Sequence, residues 1–116
     1  MAKLLMRTNA IEILPSHDAR SIARFFQVLA DPTRVRLIKA LADGEWCVSE
    51  LTRALGMDQP AVSHQLKYLR ELGLVKWKKS GRHVYYTLAD NSLRDILMSS
   101  LERGSIHEGE VDPATV

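Results

Sequence analysis

Gln59-Pro60-Ala61-Val62-Ser63-His64-Gln65-Leu66-Lys67-Tyr68-Leu69-Arg70-Glu71-Leu72-Gly73 is the stretch from which the rest of the chain can be read. Asp58 in front of it is a helix-capping residue type, Pro60 suits a first turn, and Gly73 is a terminator, so the pattern predicts a helix from Gln59 to Leu72. At roughly 100° per residue, Val62, Leu66 and Leu69 share one narrow sector, the packed face. Pro60, His64, Lys67 and Glu71 lie opposite, with Ser63 on the flank and Gln59 at the entrance. The exposed N-terminal half therefore offers donors, acceptors and one cation. A helix that enters the major groove needs that composition, because Gln can pair with adenine and Ser or His with base edges or phosphate. The helix N-terminus itself suits a phosphate.

Upstream, Ser49 to Leu55 predicts a short helix with Leu51 and Leu55 four apart, stopped by Gly56. With Gly56-Met57-Asp58 as the turn, the two helices fit a helix-turn-helix whose second member reads the duplex. Downstream, Leu74–Lys79 and Val84–Leu88 flank Ser80-Gly81-Arg82-His83, a hairpin signature with glycine at the turn. Lys76, Lys78, Lys79 and Arg82 make that hairpin basic. Such a ribbon can follow the phosphates while its Arg enters a minor groove. From Lys67 to Arg82 the only acid is Glu71, and this local patch points to a polyanionic partner, double-stranded DNA.

The remaining segments complete a mainly α fold with a small β-hairpin. Asp18 to Ala30 carries Ile22, Phe25, Phe26 and Leu29 at helical spacing, and Asp31-Pro32 opens a helix with Val35, Ile38 and Leu41 inward and Gly44 beyond its end. Trp46 to Val48 is a short apolar piece read as extended. Asp90 is expected to cap a last helix, ended by Gly104, whose apolar residues are Leu93, Ile96, Leu97 and Leu101. Burying the apolar stripes of the two terminal helices favours pairing them across a two-fold axis. Residues 1–15 read as a loose arm, residues 16–104 as the folded domain, and residues 105–116 as a mobile acidic tail. His107 with Glu108 and Glu110 is more simply a solvated tail than a cation site.

Composition sets the outer bounds. With 116 residues, 46% hydrophobic and 26% charged, the chain reads as one ordinary globular domain. The net charge is +2, but residues 105–116 hold three acids and no Lys or Arg, so the rest is more basic than the total. A single cysteine excludes an intrachain disulfide. No apolar run reaches the roughly 18 residues of a transmembrane helix, and the N-terminus lacks a signal-peptide core, so the expected compartment is the cytoplasm. No P-loop, HExxH or Gly-rich nucleotide motif occurs, and the adjacent Ser63 and His64 point about 100° apart, so an enzyme is not expected. The rival to a DNA-binding regulator is a winged-helix module whose basic hairpin docks an acidic protein.

Leu29-Ala30-Asp31-Pro32-Thr33-Arg34, Ala61-Val62-Ser63-His64-Gln65-Leu66-Lys67 and Gly81-Arg82-His83-Val84-Tyr85-Tyr86 together resemble the ArsR/SmtB family of bacterial metal-responsive repressors, over roughly residues 18–104. The resemblance implies a winged helix-turn-helix that forms a homodimer through its first and last helices, binds a palindromic operator and is released by an inducer. It places Gln59, Ser63 and His64 where relatives read the groove, and Arg82 on the wing tip. It also exposes two departures. Relatives that sense zinc on the last helix carry Asp-x-His and, ten residues on, His-x-x-Glu. This chain keeps Asp90 but has Ser92, Arg103 and Ile106. A cation repels a metal, and Ser and Ile are poor zinc ligands, so Asp90 reads as a helix cap. Thiolate-type sensors carry Glu-Leu-Cys-Val-Cys-Asp-Leu where this chain has Glu45-Trp46-Cys47-Val48-Ser49-Glu50-Leu51. One thiolate cannot chelate a soft ion alone. A divalent or thiophilic inducer would need Cys47 together with Glu50 and an arm ligand such as His17. The plainer alternative is a small packed cysteine.

Overall fold

A computed structural model of the chain describes residues 11–104 and Ile106. It contains α1 (Ser16–Val28), α2 (Pro32–Asp43), α3 (Val48–Leu55), α4 (Gln59–Glu71), β1 (Val75–Ser80), β2 (His83–Leu88) and α5 (Ser92–Arg103). The order is the one expected of a mainly α, winged helix-turn-helix chain. Residues 1–10 of the expected arm, and His107, Glu108 and Glu110 of the expected tail, lie outside the described residues. The chain divides into two compact units, one ending at Pro32 and one starting at Thr33.

The first unit holds α1. Its apolar stripe is real but mostly uncovered: Ile22 is 47% and Phe26 50% exposed, Phe25 and Leu29 are half-buried, and Val28 is buried. Phe25 and Phe26 meet edge to face at 5.9 Å between ring centroids.

The second unit is built around Leu37, Ile38 and Leu41 of α2, Leu51 of α3, Val62, Leu66 and Leu69 of α4, Val75 of β1, and Leu93 and Leu97 of α5, all buried. The sequence assigned Val35 to this core and missed Leu37. Val35 is half-buried, while Leu37 is fully covered. In α5 the expected apolar face divides, because Leu93 and Leu97 are buried in the single chain, Ile96 is half-buried and Leu101 remains 57% exposed.

The start of α5 departs from expectation by one position. Asn91, not Asp90, occupies the N-cap, without a side-chain cap bond. Asp90 still secures the first turn from just outside it. Its Oδ1 accepts the Ser92 N–H at 2.9 Å and the Ser92 hydroxyl at 2.6 Å. These two bonds, the hydroxyl's first, hold the Asp90 carboxyl below the usual range.

The hairpin is antiparallel, with Ser80 opposite His83, Lys78 opposite Tyr85, Trp77 opposite Tyr86 and Val75 opposite Leu88. The turn is therefore the two residues Gly81-Arg82. The extended piece before α3 joins this sheet at one point. Trp46 N–H donates to the Tyr86 carbonyl at 3.1 Å, and Tyr86 N–H donates to the Trp46 carbonyl at 2.8 Å.

Candidate nucleic-acid interface

α3 and α4 pack together as a helix-turn-helix, and the turn between them is closed by local bonds. Gly56 stands at φ +66°, a conformation that L side chains rarely adopt, and Met57 N–H donates to the Thr52 carbonyl at 3.1 Å. Arg36 of α2 caps the other side of this end by donating from Nη1 to the Leu55 carbonyl at 3.3 Å. Asp58 then caps α4, its Oδ1 accepting the Ala61 N–H at 2.8 Å. Gln59 and Pro60 are exposed at this end, and Pro60, as a proline, brings no backbone N–H to it.

The packed and open faces of α4 are those expected from the helical spacing of its residues. Val62, Leu66 and Leu69 are at most 1% exposed, while Gln59, Ser63, His64, Lys67 and Glu71 are exposed. Gln59, Ser63 and His64 thus lie together on one open surface near the helix N-terminus, with Lys67 one turn further along.

α4 ends in a Schellman arrangement. Gly73 stands at φ +74°, its N–H donates to the Arg70 carbonyl at 2.9 Å, and Leu74 N–H donates to the Leu69 carbonyl at 2.9 Å. This reversal directs the chain straight into β1, so the wing leaves α4 at a fixed point. On the wing, Val75, Trp77 and Lys79 share one face with Val84, Tyr86 and Leu88. Lys76, Lys78 and Ser80 share the other with His83, Tyr85 and Thr87. His83 and Tyr85, two apart on β2, lie with their rings tilted and 6.1 Å between centroids.

The basic residues of the wing are not equivalent. Arg82 is exposed at the tip and Lys79 is exposed on the face it shares with Trp77. Lys78 is paired through Nζ to Glu45 Oε2 at 2.9 Å, so a phosphate would have to compete with a carboxylate for it. That pair joins residues far apart in sequence and was not legible from the local pattern. Two cation–π contacts were equally hidden. Arg34 of α2 lies over Tyr68 at 4.9 Å, and Arg70 of α4 lies over Trp77 at 5.6 Å.

Cys47 occupies the N-cap of α3 and is buried, 6% exposed. Its N–H donates to Glu50 Oε1 at 3.0 Å, and its Sγ lies 3.2 Å from Ser49 Oγ. The backbone N–H of Cys47, first among several contributions, lowers the Glu50 pKa. Cys47 and Glu50 are therefore brought together as parts of a helix start. His17 is exposed at the second position of α1. Among the described residues no three His, Cys, Asp or Glu side chains gather as a metal site.

Residues 31–76, which span the second helix, the helix-turn-helix and the first residues of the wing, match the model of the bacterial regulatory protein arsR family. A transcriptional repressor SmtB homolog from Synechocystis is 47% identical over 85 residues, 73% of this chain and 64% of that protein. The regulator NmtR of Mycobacterium tuberculosis is 42% identical over 72% of this chain and 70% of its own length. The chain belongs to the arsR family. It is a DNA-binding transcriptional regulator and not an enzyme. The solution structure of apo-NmtR matches with a TM-score of 0.73 at 33% identity over 96% of both chains. The AntR antimony-specific transcriptional repressor matches with a TM-score of 0.74 at 32% identity, over 82% of this chain and 86% of that one. Among the described residues no helix is long and apolar enough to cross a membrane.

Proposed function

We propose that this arsR-family chain is a homodimeric repressor that binds a palindromic operator in the cytoplasm. In this reading Gln59, Ser63, His64 and Lys67 of α4 meet the major groove, and Lys79 and Arg82 of the wing meet the flanking backbone or minor groove, with Lys78 a weaker contact. The observation that carries the reading is the open face of α4. Its N-terminal half presents polar side chains on a rigidly capped helix, and the chain passes directly from it into a basic hairpin. The relatives' names describe repressors, and two-fold dimers match palindromic half-sites by symmetry. The test is binding to a palindromic duplex that the chain itself enriches from a random pool. Affinity should fall steeply with salt and exceed that for random duplex. Equal affinity for both, or no binding, would favour the acidic-protein module instead.

The inducer is a separate proposal. Cys47 and Glu50 sit at the entry to α3, where a bound group would bear on the helix-turn-helix. Cys47 and Glu50 are two donors, so a divalent or thiophilic ion would require a further one, and His17 of a second copy of this chain is the proposed source. Cadmium titration of the DNA complex decides it. A thiolate absorption band that Cys47→Ser abolishes and His17→Ala weakens, together with operator release, supports these ligands. No band, with the operator still bound, leaves a repressor without a metal inducer.

A further inference from the structure

The hairpin is two-stranded beyond the rung formed by Trp77 and Tyr86, because Trp46 bridges to Tyr86 alone. An isolated two-stranded ribbon is marginally stable, so the angle of its tip depends on what secures its base. That base is secured on two sides. Tyr86 is bonded to Trp46, whose indole N–H donates to the Ala40 carbonyl of α2 at 2.8 Å. Trp77 receives the Arg70 guanidinium from the last turn of α4, 5.6 Å from the ring centroid. Trp77 is 48% exposed, so its ring does little for the core. Besides Tyr86 opposite it on the hairpin, a cation from α4 lies over its ring.

We propose that Arg70 is a positioning residue: its stack on Trp77 holds the wing at the angle that lets Arg82 and the open face of α4 engage one duplex together. This rests on the reading that Arg82 touches DNA. A contact that holds the wing in its bound pose before binding removes an ordering cost from the association. The benefit is bounded by the strength of the contact itself. A cation–π contact at an exposed site corresponds to roughly a two- to fivefold change in affinity. The plain rival is that Arg70 is one more phosphate contact.

Binding of the full chain to a palindromic duplex enriched from a random pool separates the two. Arg70→Ala and Trp77→Leu should each weaken binding roughly two- to fivefold. The double variant should be no worse than either single one, and Trp77→Phe, which keeps an aromatic face, should recover most of the affinity. Arg82→Ala should cost less in the Arg70→Ala background than in the wild type. If Arg70→Ala weakens binding while Trp77→Leu matches the wild type, Arg70 is a phosphate contact and the proposal is overturned. Additive losses for Arg70→Ala with Arg82→Ala overturn it too, and that pair needs no change at Trp77 should Trp77→Leu fail to fold. If the wild type binds and Arg82→Ala alters nothing, the wing-contact reading falls and takes this proposal with it. If Arg82→Ala weakens binding and Trp77→Leu does not, only the positioning role falls.

Discussion

Asp58 shows how much one side chain decides. Its carboxylate accepts the Ala61 N–H at the start of the helix that carries Gln59, Ser63 and His64. Asp58→Ala removes that acceptor and leaves an orphan donor, so chemical denaturation should show a loss of about 0.5–2 kcal/mol. Asp58→Asn should lose much less, because the amide oxygen still accepts. Asp90 supports a different prediction, one that depends on pH. Its carboxyl is lowered by the Ser92 hydroxyl and N–H, so the folded state binds its proton more weakly than the unfolded chain does. The resulting stability is fully present above the ordinary carboxylate range and is lost as pH falls through the depressed folded value. Melting of Asp90→Ala beside the parent should therefore show the larger Tm gap near pH 7 and a narrower one near pH 3. A gap that stays constant across that interval would mean that Asp90 acts through packing.

At the scale of elements, the proposed function divides the labour of recognition between α4 and the wing. Arg82→Ala and Lys79→Ala should weaken binding to operator and random duplex alike. Removing one cation from a phosphate should reduce the salt slope by about 0.9. Gln59→Ala and His64→Ala should instead narrow the gap between operator and random duplex, by about 1–3 kcal/mol for a good base contact. Competition binding at several salt concentrations measures both, and a slope unchanged by Arg82→Ala would remove the wing from the interface. Much of this arrangement was legible because its determinants are local. Asp58, the Val62, Leu66 and Leu69 stripe, Gly73 and the Gly81 turn all act within one turn or one hairpin. What stayed hidden joins distant residues: Trp46 to Tyr86, Glu45 to Lys78, and Arg34 to Tyr68. Even Arg70 over Trp77, only seven positions apart, depends on the chain reversal at Gly73 and on strand parity, so no periodicity reports it. The proposed inducer ligands were the least legible, because Cys47 and Glu50 satisfy a helix start whether or not they also bind an inducer.

At the scale of the whole molecule, the apolar residues assigned to the dimer divide into two groups. Leu93 and Leu97 are buried in one chain, so they contribute to its folding. Ile22, Phe26 and Leu101 are each about half exposed, and Phe25, Leu29 and Ile96 are partly so. Apolar surface left open on α1 and α5 gains roughly 25 cal/mol per Å² when a second copy covers it. Specific dimers commonly bury about 1,200–2,000 Å² in all. A dimer also changes the DNA problem, because binding one half-site places the second α4 near the other and makes that contact effectively intramolecular. The chain should therefore sediment as a dimer at micromolar concentration. Phe26→Asp and Leu101→Asp put a charge on the covered surface and should shift the equilibrium to monomer with the helical signal retained. Leu97→Asp should unfold the chain instead, because that position is in the core. The same monomeric variants should lose tenfold or more in affinity for a palindrome, by the usual avidity gain of about 10²–10⁴, while binding a single half-site like the parent. A parent chain that sediments as a monomer, or a Phe26→Asp variant that binds the palindrome with full affinity, would overturn the dimeric arrangement.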